Sequence, residues 1–288
     1  MTRDMRVAAS RGRNFLVAHG HALEAAVVER AWFGGDPLAI VDALSAYQNE
    51  DGGFGRGLEV DIGAPQSNPF AACLALNYLR GVPSDVGTGL RESLGAWLMD
   101  NQAQDGDWHL SEDAKAGALA PWFANWTFPS LNPACCLVGL AVANGLATSD
   151  MLSRVDALFD DQASLSAIRD GEFYDLVPYA EYSLSGRLPA EYLDELAATI
   201  VRWAGEDRFD DAEHFFNLAL RNAPEIAARV PREVVDDYVA RALEAQEPDG
   251  GWPSPYDPKW RPAATAATLS GLARYCAPVT ATRCVALS

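Results

Sequence analysis

The chain has 288 residues, 49% of them hydrophobic, with 22 Lys+Arg against 40 Asp+Glu and a formal net charge of -18. That length allows one large domain or two ordinary ones, and the apolar fraction can fill a sizeable core. The acidic balance excludes a general nucleic-acid binder, which needs a basic face. It also suits a polyanionic substrate poorly, unless a local basic pocket exists.

Residues 3–33 carry one or two helical patterns. Their charges interrupt the apolar run that a signal peptide needs, and no stretch is apolar enough for a membrane span. The cysteines are Cys73, Cys135, Cys136, Cys276 and Cys284. An odd number without a C-x-x-C pair fits buried thiols in a reducing cytoplasm.

Next comes PLAIVDALSAYQ, whose apolar residues recur at helical spacing. It ends in Gln48-Asn-Glu-Asp51-Gly52-Gly53-Phe54, a turn signal. Asn68-Pro69 then opens a second helix, FAACLALNYL. The same order returns. LRESLGAWLMDNQ leads to Gln102-Ala-Gln-Asp105-Gly106-Asp107-Trp108, and Asn132-Pro133 opens ACCLVGLAVA. VVDDYVARALEAQ leads to Gln246-Glu-Pro-Asp249-Gly250-Gly251-Trp252, and Arg261-Pro262 opens AATAATLSGLARY. The interval from Gln102 to Gln246 holds room for two degenerate copies, at Asp170-Gly171-Glu172-Phe173 and Asp207-Arg208-Phe209. Proline suits the first turn of each second helix, where its missing N–H has no intrahelical partner.

The second helices are small and apolar on most faces, so they are expected to be buried all round. The first helices are more charged and read as outer ones. A single pair cannot bury its inner helix, but a closed array can. The expected fold is all-α: one α/α toroid of about six helix pairs spanning 1–288. Its repeats lie at roughly 36–82, 86–146, 150–186, 189–223 and 232–276, and the helices of 3–33 close the ring. The motif itself reads as a brace. Its glycines take positive φ, its aspartate bonds turn N–H groups, and its glutamine ties one unit to the next.

These Q-x-x-D-G-[GD]-[FW] repeats on paired helices resemble the QW-type repeats of the terpenoid cyclase and protein prenyltransferase superfamily, including squalene–hopene cyclases. The resemblance covers roughly residues 36–275. Tyr47 to Pro69, with PSLNP at 129–133, also resembles small actinobacterial toroid proteins. The resemblance implies a toroid fold and a central cavity. It implies function more weakly, because one fold hosts several chemistries.

Chemistry is expected in the loops that differ between repeats. Glu59 and Asp61 precede the first inner helix, and burial could split paired carboxylates into a neutral acid and an ionised partner. Trp122 and Trp126 belong to an aromatic run, 122–128, suited to an apolar pocket, a cation or a sugar face. Asp210, Asp211 and His214 open another inner helix. Class II terpene cyclases carry Asp-x-Asp-Asp as their acid, and this chain reads Arg208-Phe209-Asp210-Asp211, without the first aspartate. Tyr256, Trp260 and Arg261 lie on a proline-stiffened loop, and Tyr174 and Tyr179 on a polar-aromatic face. Each of these loops also has a plainer reading, as a helix cap, a solvated acidic loop or a rigid closing loop.

No zinc set, phosphate loop, G-x-S-x-G elbow or D-D-x-x-D magnesium motif is apparent, so no metal or cofactor is expected. The leading expectation is a terpene-cyclase-like enzyme, an acid-initiated cyclisation or isomerisation of an apolar isoprenoid in a central cavity. The alternatives are a carbohydrate-active lyase or hydrolase with a glycan in that cavity, and a non-catalytic binder of an apolar metabolite or protein partner. The sequence leaves the oligomeric state open.

Overall fold

A computed structural model describes residues 2–276. Cys284 and the last residues of the expected domain lie outside the described residues. The described cysteines, Cys73, Cys135, Cys136 and Cys276, are free thiols.

The described residues are all-helical, with two isolated β-bridges and no strand. The chain opens with α1 (Thr2–Ala18) and α2 (Ala22–Phe33). Next come α3 (Leu38–Ser45) and α4 (Pro69–Leu79), then α5 (Thr88–Asn101), the short α6 (Glu112–Lys115) and α7 (Pro121–Ala124), and α8 (Leu131–Ala143). The following unit is α9 (Ser149–Gln162), α10 (Leu165–Asp170) and α11 (Phe173–Tyr182). The rest are α12 (Ala190–Gly205), α13 (Ala212–Ala219), α14 (Pro224–Ala227), α15 (Arg232–Glu244) and α16 (Arg261–Cys276).

The second helices begin where their caps dictate. Asn68 accepts the Ala71 N–H at 2.9 Å with Pro69 at the first turn, and Asp211 accepts the His214 N–H at 2.9 Å. In α8 every residue from Pro133 to Ala141 is buried, as a helix apolar on all faces requires. Among these helices α4 packs on α8, α8 on α11, α11 on α13, α13 on α16 and α16 on α2. Contacts return to α4 through α3, so their order is cyclic. At Gly139 of α8 the helices α8 and α11 come close, and a Cβ there would stand 2.0 Å from the Glu181 carbonyl of α11.

The three full motifs build one interface three times. Gln48 Nε2 bonds Gly52 O at 2.9 Å and Leu90 O of α5 at 3.0 Å. Gln102 bonds Gly106 O at 3.0 Å and Met151 O of α9 at 3.2 Å. Gln246 bonds Gly250 O at 2.8 Å and Ala8 O of α1 at 2.9 Å. Gly52, Gly106 and Gly250 all take positive φ, and a Cβ on each would strike the carbonyl of Ser93, Arg154 or Arg11. The aspartates of the motif accept the second N–H onward in the turn. Trp108 and Trp252 donate their indole N–H to Leu98 O and Ala242 O of the preceding helix.

The degenerate copies lack this interface. Gly171 is extended at φ -77, and Glu172 and Asp175 instead form a capping box on α11. Asp207 takes φ 54 and pairs with Arg241 of α15.

Candidate functional site

The loop after the first brace carries the buried acids. Its strand-like piece pairs with residues 118–120: Gly63 N–H donates to Ala118 O at 2.7 Å and Ala120 N–H to Asp61 O at 3.0 Å. This fixes the backbone on which Glu59 and Asp61 sit, 7% and 6% exposed. Glu59 accepts the Asp61 N–H at 3.0 Å. Burial dominates its ionisation and pushes its pKa up to about 8, against the opposing pull of the Asp61 N–H and of Lys259. Asp61 is served differently. Lys259 Nζ lies 2.7 Å from Oδ1, and Trp260 Nε1 donates to Oδ2 at 3.0 Å. One carboxyl is therefore neutral at neutral pH while its neighbour is ion-paired.

The loop that supplies Lys259 and Trp260 also supplies Tyr256. Its hydroxyl lies 2.8 Å from His214 Nε2, and His214 Nδ1 lies 2.7 Å from Asp211 Oδ1. The Tyr174 ring stands beside that of Tyr256, with centroids 6.5 Å apart. The result is a polar chain, Asp211–His214–Tyr256, flanked by Tyr174. Burial disfavours the His214 imidazolium, but Asp211, Glu213 and Asp210 outweigh it and raise the pKa above the usual histidine value. With the proton on Nδ1 alone, Tyr256 can donate to Nε2; with both nitrogens protonated, Nε2–H donates to Tyr256. Phe173 packs edge-on to the imidazole, with ring centroids 4.4 Å apart.

Tyr174 is 54% exposed and Tyr256 44% exposed. Burial is nonetheless the main cause that pushes the Tyr174 hydroxyl far up. Cys73 and Tyr78 of α4 are half-buried, and burial raises the pKa of the thiol and of the hydroxyl.

Several expected contacts do not join this group. Tyr179 is buried, with its hydroxyl on Ser164 and its ring between Phe159 and Tyr192. Arg261 forks onto Asp249 at 2.7 and 2.8 Å, bonds Glu247 and covers Phe15, so it belongs to the last brace. Trp126 packs on Phe70 and Phe123 in a small apolar cluster, its N–H on Ser130 and Asn132. Trp122 is 52% exposed beside that cluster. Asp210 is exposed and reaches His214 only through its charge. Two shallow hollows, one lined by Arg3, Val7 and Phe33 and one by Ala197, Val201 and Pro231, involve none of these groups.

Sequence reasoning missed Lys259, whose ammonium lies 2.7 Å from Asp61 Oδ1. Glu181, on the same polar-aromatic tract as Tyr174 and Tyr179, is buried on α11 and bonded by Asn77 Nδ2 at 3.2 Å. Glu213 went unnoticed as well, 3.9 Å from His214 Nδ1 and 3.0 Å from Arg221. Asp211, Glu213 and His214 place their ligand atoms within 4.8 Å of one another. These are suitable donor types for a divalent cation. A cation there would have to displace the Nδ1 contact to Asp211 and the Arg221 pair.

No family model matches the chain, and no curated protein matches it.

Proposed function

We propose that the chain is an α/α toroid enzyme that protonates a neutral, largely apolar small molecule of the isoprenoid class and directs its isomerisation or cyclisation. The observation that carries this reading is Glu59, a buried carboxyl kept uncharged at neutral pH beside an ion-paired Asp61. A buried, neutral carboxylic acid is the group that can hand a proton to an alkene carbon or an epoxide oxygen.

Glu59 would give up its proton as the substrate becomes a cation. The faces of Tyr174, Tyr256 and Trp260 and the Asp61 carboxylate would favour that cation. The Tyr256–His214–Asp211 chain would take a proton from the product cation, completing a net isomerisation, and Glu59 would be reprotonated from solvent. The cyclic contacts of α4, α8, α11, α13 and α16, closed through α2 and α3, support the toroid.

A second reading has one observation in its favour. Trp122, Tyr174 and Tyr256 present open ring faces, which suit a sugar better than a sealed apolar chamber does. Incubation in D2O with linear isoprenoid hydrocarbons, alcohols and epoxides separates the two. Deuterium in a rearranged product, lost in Glu59→Gln, supports the first reading. Release of reducing or unsaturated sugar from a polysaccharide panel, with no isoprenoid turnover, replaces it by the second.

A further inference from the structure

Asp61 is buried, and both of its carboxylate oxygens are met from a single loop, residues 253–260. Lys259 Nζ lies 2.7 Å from Oδ1, and Trp260 Nε1 donates to Oδ2 at 3.0 Å. The same ammonium donates to Val60 O at 3.4 Å. Tyr256, on the same loop, places its hydroxyl 2.8 Å from His214 Nε2. On the loop, all of these contacts are made by side-chain tips. Among the described residues, no backbone hydrogen bond ties 253–260 to the segments 59–63 or 210–214.

The ends of the loop are firmly held. Trp252 is buried, with its indole N–H on Ala242 O at 2.7 Å and its backbone N–H on Thr265 Oγ1 at 2.9 Å. At the other end Arg261 forks onto Asp249. Between these anchors Pro253, Pro255 and Pro258 fix φ, so the segment is a stiff strap rather than a slack chain. Every residue from Pro255 to Lys259 is exposed. A strap with solvent on its outer side and no backbone bonds to the acids beneath it can lift without unfolding its neighbours. The Lys259 side chain is 43% exposed, and an ion pair that solvent reaches holds only weakly.

We propose that residues 253–260 form a lid over Glu59 and Asp61, latched by Lys259 and Trp260 on Asp61 and by Tyr256 on His214, which lifts to admit a small apolar molecule to the buried acids. The class of molecule rests on the reading of Glu59 as the acid; the lid itself does not. Glu59 and Asp61 are 7% and 6% exposed, so a molecule reaches them only when their cover moves. Lifting frees both oxygens of Asp61 in one movement, because both partners sit on the same strap. Closure of such a loop over its occupant excludes water from the acids.

Lysine chemistry gives a direct test. Lys115 and Lys259 are the only lysines of the chain, and their side chains are equally exposed, at 43% each. Lys115 is therefore an internal reference for Lys259. The full chain and its Tyr256→Phe and Trp260→Phe variants are acylated with N-hydroxysuccinimidyl acetate. In a second arm they are treated with dicyclohexylcarbodiimide, an apolar reagent that attacks protonated carboxyls. Peptide mass spectrometry reads both. Each variant keeps a ring but loses one latch bond, so acylation of Lys259 relative to Lys115 should rise at least about threefold, and modification of Glu59 should rise with it. Tyr256 is 44% exposed, so its hydroxyl can be removed without disturbing the core, and thermal unfolding checks the fold. Unchanged reactivity of Lys259 and Glu59 in both variants overturns the proposal. A rise at Lys259 with Glu59 still shielded also overturns it, because the loop would then cover no site. Neither readout uses turnover. A lid that lifts with no isoprenoid turned over counts against the role of Glu59, and turnover with both reactivities unchanged counts against the lid.

Discussion

Gln246 donates its side-chain amide to the carbonyl of Ala8 at 2.9 Å, across 238 positions of sequence. This is the bond that Gln48 makes to Leu90 and Gln102 to Met151, so the first helix stands where the last brace needs a neighbour.

Gln246→Ala should destabilise the chain as much as Gln102→Ala does, by about 1–3 kcal/mol, because each leaves two carbonyls without their donor. Urea denaturation of the two variants checks this. A much smaller loss for Gln246 would mean that α1 is only loosely docked.

Glu59→Gln should change the pH dependence of stability as well as remove turnover. The folded chain holds the Glu59 proton up to about pH 8, whereas the ordinary value is 4.5. The folded state therefore binds the extra proton between these limits, and the wild type loses stability as pH rises through that window. Gln has no proton to lose, so the stability of the variant relative to wild type should grow with pH, by a few kcal/mol. Asp107, raised to about 7 by burial, titrates in both proteins and cancels. A difference that stays flat with pH would show that Glu59 is not held neutral.

Asp211→Asn should lower the His214 pKa, followed by NMR of the imidazole. Asn still caps α13, so the fold is kept while the charge on Nδ1 is lost. Because the folded His214 pKa is raised, its stabilising contribution is complete below about 6.5 and fades as pH rises through the folded value. The variant should lack that contribution. An unmoved titration would assign the shift to Glu213 and Asp210 instead.

Gly139→Ala should cost at least about 2 kcal/mol, since the new methyl meets backbone and no flexible side chain can yield. The variant should also alter the environment of Glu181, whose carbonyl it strikes. Thermal unfolding with wild-type Tm retained would show that the α8–α11 crossing is looser than described.

The helix content and the braces were legible because both are local. Helical spacing, Asn-Pro starts and a repeated turn signal lie within a few residues of one another. The site was legible only in part. Glu59, Asp61 and His214 stood out as acids and a histidine beside helix starts, but the partner that fixes Asp61 arrives from 199 positions away, through Trp260 and its neighbour Lys259. Arg261 and Tyr179 looked like ligand contacts because chemistry-bearing side chains also serve as struts, and only the partners tell the two apart.

The brace between the last motif and α1 has a consequence for how the chain is made. A linear helical array can fold from its first units as they emerge, with capping units sealing each end. Here the first helix waits for a partner near residue 246, so a growing chain holds an unfilled edge until that segment has been made. Closure of the last brace therefore waits on a contact far apart in sequence, the kind that slows folding.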